Sequence, residues 1–221
     1  MPPSLNLVIR DAGHDDQAAI VRVLVTAFSA GPVARWIDPD PVSRDGHSTG
    51  YFAAAVEVAI ACGLARLAAE NGDVVAAALW LPHTETAQAG TATPRRLRPP
   101  DRRTASPAAV AAWRRLHALE ALLADRHPTH PHHHLSFIGV RPDRQGRGIG
   151  TYLLDGHHAY LDGLSMPAYL EANDPRNRKL YQRHGYTDLG GALVLPGGGV
   201  RVWPMWREPM RTTVVTSGDA R

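Results

Sequence analysis

The chain opens on alternation: Leu5, Leu7 and Ile9 are separated by Asn6, Val8 and Arg10, the period-two pattern of a short strand. From residue 15 the period lengthens. Ile20, Val21, Leu24, Val25 and Phe28 recur at helical spacing, with Asp15 and Asp16 near the positive end of the helix dipole. Gly31, Pro32, Pro39 and Pro41 then predict a loop over 29–41. A second helix is predicted from about Ser43, with Tyr51, Phe52, Ala55, Val56, Ala59 and Ile60 on one stripe and Gly63 at its end. Apolar runs at 64–69 and 74–81 flank Asn71 and Gly72, a hairpin signature because Asn-Gly accepts the positive φ of a tight turn. Residues 82–105 lack periodicity and predict a loop carrying Arg95, Arg96, Arg98, Arg102 and Arg103. Ser106 and Pro107 supply the N-cap and first position of a helix bearing Ala109, Trp113, Leu116, Leu119, Glu120 and Leu123. A short strand ending at Val140, a helix to about Asp162 and a strand over 168–172 follow. Asp174 and Pro175 then open a last helix that Gly185 closes.

The totals narrow the class. A chain of 221 residues, 44% hydrophobic and 20% charged, fits one α/β domain, expected over 1–210 with a flexible tail at 211–221. A formal charge of +3 spread along the sequence favours anionic ligands weakly, and no basic, aromatic-interleaved repeat points to nucleic acid. The single cysteine, Cys62, excludes an internal disulfide and reads as a small core residue. No leader pattern and no apolar run of membrane-spanning length are visible, so the expectation is a cytoplasmic protein with no membrane association.

The candidate chemistry is concentrated in 135–186. A strand, then Gln145, Gly146, Arg147, Gly148, Ile149, Gly150 and Thr151, then an apolar helix pattern make a backbone-lined anion site. Glycines let the main chain approach, and the unpaired N–H groups of a helix start favour phosphate. A P-loop would need Lys and then Ser or Thr after its last glycine, and a Rossmann fingerprint begun at Gly146 would need glycine where Thr151 stands. QGRGIG instead resembles the acyl-CoA pyrophosphate loop of the GNAT superfamily of N-acetyltransferases. LYQRHGY at 180–186 resembles the second signature of that superfamily. Residues 132–208, with PAYLE at 167–171, the NDPRN run and VWPMWRE, resemble puromycin N-acetyltransferase and similar small-amine enzymes.

The resemblance implies a residue-by-residue site. Residues 145–151 would hold the CoA pyrophosphate, with Arg147 the arginine best placed to screen it. The backbone of Ile138 and Val140 would bind the pantetheine arm beside a bulge, and Asn177 would contact the same arm. Tyr181 would be the general acid for the CoA thiolate, a role that suits a phenol protonated at neutral pH. No base is identified by motif. Glu171, at a strand end beside the expected thioester, is the first candidate, with His134 and a C-terminal group as others. Trp36, Trp80 and His134 are candidate acceptor residues, though Trp36 could equally pin its loop to the body of the fold.

Histidines 127, 130, 132, 133 and 134 crowd the central strand, with 132 and 134 expected on one face and 133 on the other. Two histidines on one face are too few for zinc, and no metal is expected. The implied fold is a mixed, mostly antiparallel sheet splayed between its fourth and fifth strands and flanked by helices, in the order β-α-α-β-β-α-β-α-β-α-β-β. The implied activity is acetyl-CoA-dependent N-acetylation of a small-molecule amine by direct attack. A protein amine as acceptor and a non-catalytic acyl-CoA sensor are the alternatives, and a homodimer is left open.

Overall fold

A computed structural model describes residues 7–84 and 105–210. In chain order the elements are β1 (Leu7–Asp11), α1 (Gln17–Phe28), α2 (Pro32–Ile37), α3 (Pro41–Ala61), β2 (Ala65–Glu70), β3 (Asp73–His83), α4 (Pro107–Ala124), β4 (His132–Val140), α5 (Ile149–Gly163), β5 (Ala168–Ala172), α6 (Pro175–Arg183), β6 (Thr187–Asp188), β7 (Leu193–Val194) and β8 (Arg201–Arg207). The strands lie in the order β1-β2-β3-β4-β5-β8-β6, with β7 also paired to β8. Every pairing is antiparallel except β4 with β5.

Two parts of the expected order are corrected. The stretch read as a loop contains α2, and α3 begins two residues before the expected start at Ser43. In both helices the proline stands at the first turn, where its missing N–H costs nothing and its fixed φ suits the helix. Asp40 then caps α3 by accepting from the Val42 N–H at 3.1 Å. Among the described residues, three strands, β6, β7 and β8, follow α6 where two were expected. Cys62, expected in the core, is exposed at the C-cap of α3. The arginine cluster at 95–103 and the expected tail at 211–221 lie outside the described residues.

Alternation along β3 divides the core. Ala77 and Leu79 face α1 and α3, packing with Ile20, Leu24, Phe52 and Val56. Ala76, Ala78 and Trp80 face α5 and α6, packing with Leu153, Leu154, Leu161 and Tyr181. Gly139 shows how hard α1 presses on β4: a Cβ there would lie 3.0 Å from Leu24 Cδ2 and 3.1 Å from Ala27 Cβ.

Two irregularities open the sheet. The strands β4 and β5 are in register only at His133↔Ala168 and His134↔Tyr169, and they diverge beyond. On the other edge of β4, Trp80 pairs with Leu135 while Leu79 pairs with Phe137, so Ser136 is the extra residue of a bulge. The splay and the bulge that the resemblance implied are both present, and they adjoin.

A buried ion pair holds the far end of the splayed half together. Arg207 of β8 is 2% exposed and donates from both terminal nitrogens to Asp162 of α5 at 2.8 Å. Those bonds hold the Asp162 carboxyl below its ordinary range, against the opposing effect of burial. Asp162→Asn leaves the guanidinium without its counter-charge and is expected to cost about 3 kcal/mol. In a thermal melt that is roughly 6–12 °C for a chain of this size. Because the folded pKa is the lower one, the contribution is complete above the unfolded value of about 3.9 and is lost as pH falls through the folded value. The difference between wild type and Asp162→Asn should therefore shrink only in strongly acidic buffer.

Candidate active site

The glycine loop is built as its sequence implies. A 3-10 turn over Pro142–Arg144 follows β4, and the Gln145 side chain donates back to the Val140 carbonyl at 3.0 Å, closing the turn. Gly146 and Gly148 have φ of 76° and 78°, a conformation that a side chain would strain. Ile149, 1% exposed, anchors the start of α5 in the core. The Tyr152 N–H donates to the Gly148 carbonyl at 3.1 Å. The N–H groups of Ile149, Gly150 and Thr151 precede that bond and have no acceptor within the helix, the arrangement that receives phosphate. Arg141 is held by Asp143 at 2.7 Å and Arg144 by Glu70 at 2.5 Å. Arg147 is 45% exposed and 3.7 Å from Glu70, so it is the arginine freest to meet an anion.

Beside the loop, the splay opens into a cavity of ≈ 820 Å³ walled by α1, α2, α3, α4, β4, β5 and α6. Five of the sequence-predicted residues meet on its wall: His134, Ile138, Glu171, Asn177 and Tyr181. Asn177 and Tyr181 are one turn apart on α6, whose N-cap Asp174 accepts from the Arg176 N–H at 2.7 Å. Burial raises the Tyr181 phenol above its ordinary value, so it holds its proton.

Glu171 is the centre of a polar cluster on the same wall. Its Oε2 lies 2.8 Å from His134 Nε2, and its Oε1 lies 4.0 Å from His127 Nδ1. Burial pushes the Glu171 carboxyl up, but His134, His127 and Tyr169 outweigh it and bring the carboxyl below its ordinary value. The imidazoles of His127 and His83 favour their neutral forms. Burial, reinforced by the neighbouring histidines, lowers His127 to about 3 and His83 to about 4. His133 points to the other face, 3.1 Å from His157, as alternation predicts.

The two tryptophans do not join this group. Trp80 is fully buried on the α5 side of the sheet, stacked on His157 with ring centroids 4.0 Å apart, so its expected acceptor role is corrected. Trp36 donates from Nε1 to the Pro196 carbonyl at 2.9 Å, tying α2 to the segment after β7, and is absent from the cavity wall. Val140 and residues 145–151 also lie outside that wall.

The apolar part of the wall was read only as core. Phe28, Tyr51, Phe52 and Phe137 pack with centroids 5.1–5.9 Å apart and line the cavity. Their helical stripe was visible, but a stripe does not say whether it meets a filled or an open space. His83 was missed altogether. It ends β3 opposite His132, a proximity created by strand pairing across a long connection.

Comparison with known proteins places this architecture. Residues 112–188 match the sequence model of the acetyltransferase (GNAT) domain. An uncharacterised N-acetyltransferase of Schizosaccharomyces pombe is 39% identical over 80 residues, a stretch covering 34% of this chain and 34% of that protein. The solved structure of a histone acetyltransferase HPA2 and related acetyltransferase from Corynebacterium glutamicum is 25% identical, covers 94% of this chain and 99% of its own, and superposes with a TM-score of 0.60. The Drosophila melanogaster polyamine N-acetyltransferase, described as forming N-acetylagmatine, is 16% identical over 92% of this chain and 100% of its own, with a TM-score of 0.60. The fold is the GNAT fold.

Proposed function

From the GNAT fold as premise, we propose that this protein transfers the acetyl group of acetyl-CoA to the amine of a small molecule by direct attack. The observation that carries the reading is that Glu171 with His134, and Tyr181 with Asn177, line one cavity at the splay, beside a glycine loop suited to phosphate. Acetyl-CoA supplies the activated acyl group. Residues 145–151 hold its pyrophosphate through the free N–H groups of the α5 N-terminus and through Arg147. The unpaired edge of β4 at Ile138 and Val140, together with Asn177, positions the arm that reaches into the splay.

The Glu171–His134 pair takes the proton of the attacking amine as the new C–N bond forms. An alkylammonium with a pKa near 10.4 is unreactive until it loses that proton. Tyr181 donates its phenolic proton to the sulfur as the C–S bond breaks, so that a thiol departs. With both substrates in line, no covalent acyl-enzyme is required. Residues of α2 and α4 wall the cavity, and a walled cavity of this kind favours a small molecule over a protein segment, which would need an open groove. The likeness of 132–208 to puromycin N-acetyltransferase and similar small-amine enzymes supports the same acceptor class.

A thermal-shift series tests the cofactor half of this reading. Only a ligand that binds the folded state raises the melting temperature. Acetyl-CoA and CoA should both raise it, while ATP at the same concentration should not. Stabilisation by ATP alone would return the glycine loop to the nucleotide class.

A further inference from the structure

We propose that His83, His127 and His134, together with Glu171, form a binding site for one transition-metal dication of the zinc(II) or nickel(II) kind. Three chain segments bring the imidazoles together: His83 ends β3, His127 follows α4, and His134 lies on β4. One ring nitrogen from each lies within 4.8 Å of the others, and all three rings and Glu171 line the same cavity.

Hydrogen bonding sets where the lone pairs point. His132 Nδ1 lies 2.7 Å from the His130 carbonyl, which can only accept, so His132 carries its proton on Nδ1. Its Nε2 therefore accepts, and the His127 Nε2 3.2 Å away must donate. That leaves the lone pair of His127 on Nδ1, the atom 4.0 Å from Glu171 Oε1. A lone pair facing a carboxylate oxygen is repulsive unless a cation or a bridging donor lies between them, and a dication satisfies both at once. Nearby, the Nε2 atom of His83 is buried and has no hydrogen-bond partner among the described residues.

The sequence argument against a metal rested on missing third and fourth ligands; of the two histidines counted there His134 remains, and His83, His127 and Glu171 supply the rest. Glu171 completes the donor set directly or through its bond to His134, and His132 with the His130 carbonyl orients His127 from behind. Imidazole with carboxylate suits zinc, nickel or copper rather than calcium or magnesium. Zinc–nitrogen bonds of about 2.0–2.1 Å require the rings to rotate inward, toward the cavity they already line. The other such group among the described residues, Asp155, His158 and His184, is accounted for without a metal: His158 bonds the Tyr186 hydroxyl at 3.0 Å and His184 pairs with Asp155 at 3.1 Å.

Binding stands apart from the transferase reading. Its consequence, that the metal occupies the proton-accepting pair and inhibits transfer reversibly, rests on that reading. The test uses tag-free protein stripped with a chelator and titrated with zinc by calorimetry, with bound metal counted by elemental analysis. Wild type should take up one equivalent. His83→Ala and His127→Ala should each bind at least about tenfold more weakly, and Asp155→Ala should match wild type. Cobalt(II) on the wild type needs no variant, and intense visible bands of four-coordinate cobalt with nitrogen ligands are the expected result. No zinc uptake by wild type, unchanged affinity in both folded histidine variants, or only the weak spectrum of six-coordinate aqua-cobalt would overturn the proposal.

Discussion

Glu171→Gln lowers kcat for acetyl transfer by roughly a hundredfold or more, the usual size of a lost proton acceptor, while the KM for acetyl-CoA stays near its wild-type value. The substitution preserves shape and leaves an amide oxygen that can still accept from His134 at the 2.8 Å contact, so packing changes little. What disappears is the negative charge that makes the pair a proton acceptor. Glu171 lies on β5, with its side chain in the cavity and away from the glycine loop, so cofactor affinity is not its task. Glu171→Asp should recover part of the rate, because it restores the charge at a shorter reach. If Glu171→Gln keeps its rate with a normal melting temperature, the amine loses its proton elsewhere, and the C-terminal group weighed against Glu171 becomes the candidate.

The second large effect is expected at Tyr181. Tyr181→Phe keeps the ring in the α5–α6 core but removes the proton for the departing thiolate, and kcat should fall by about a hundredfold. Stability and acetyl-CoA binding should change little, since the ring supplies the packing. Burial raises the pKa of this phenol, so the wild-type rate should show no decline assignable to Tyr181 below about pH 10, the unperturbed value. A wild-type rate in Tyr181→Phe would assign the proton transfer to water.

The parts of this site legible in the sequence are those set by local rules. Asp174, Pro175 and Gly185 delimit α6 because an Asx cap, a first-turn proline and a positive-φ glycine are each strong local preferences. Gly146 and Gly148 fix the loop in the same way, and the excluded P-loop and Rossmann patterns narrow its ligand. The β4–β5 splay followed from the family resemblance and not from periodicity.

What was hidden depends on distant pairing. His83 lies 44 residues before His127 and 51 before His134, and only the β3–β4 register brings it opposite His132. Trp80 was misplaced for a related reason. Along β3 the side chains alternate between two fully buried faces, so hydrophobicity alone cannot say which face a tryptophan takes. Proline misled the reading of 29–41 because it starts helices as readily as it ends them, and which it does depends on the residue before it: extended Gly31 makes Pro32 a first-turn residue.

The most direct measurement of the central claim is chromatography of reactions containing the protein, acetyl-CoA labelled in its acetyl group, and a panel of small primary amines, run beside Glu171→Gln and Tyr181→Phe. The account predicts that the label moves onto at least one amine in step with free CoA thiol, that no label remains on the protein, and that both variants are slowed. Acetyl-CoA bound but never discharged to any amine, or label retained covalently on the chain, would contradict it.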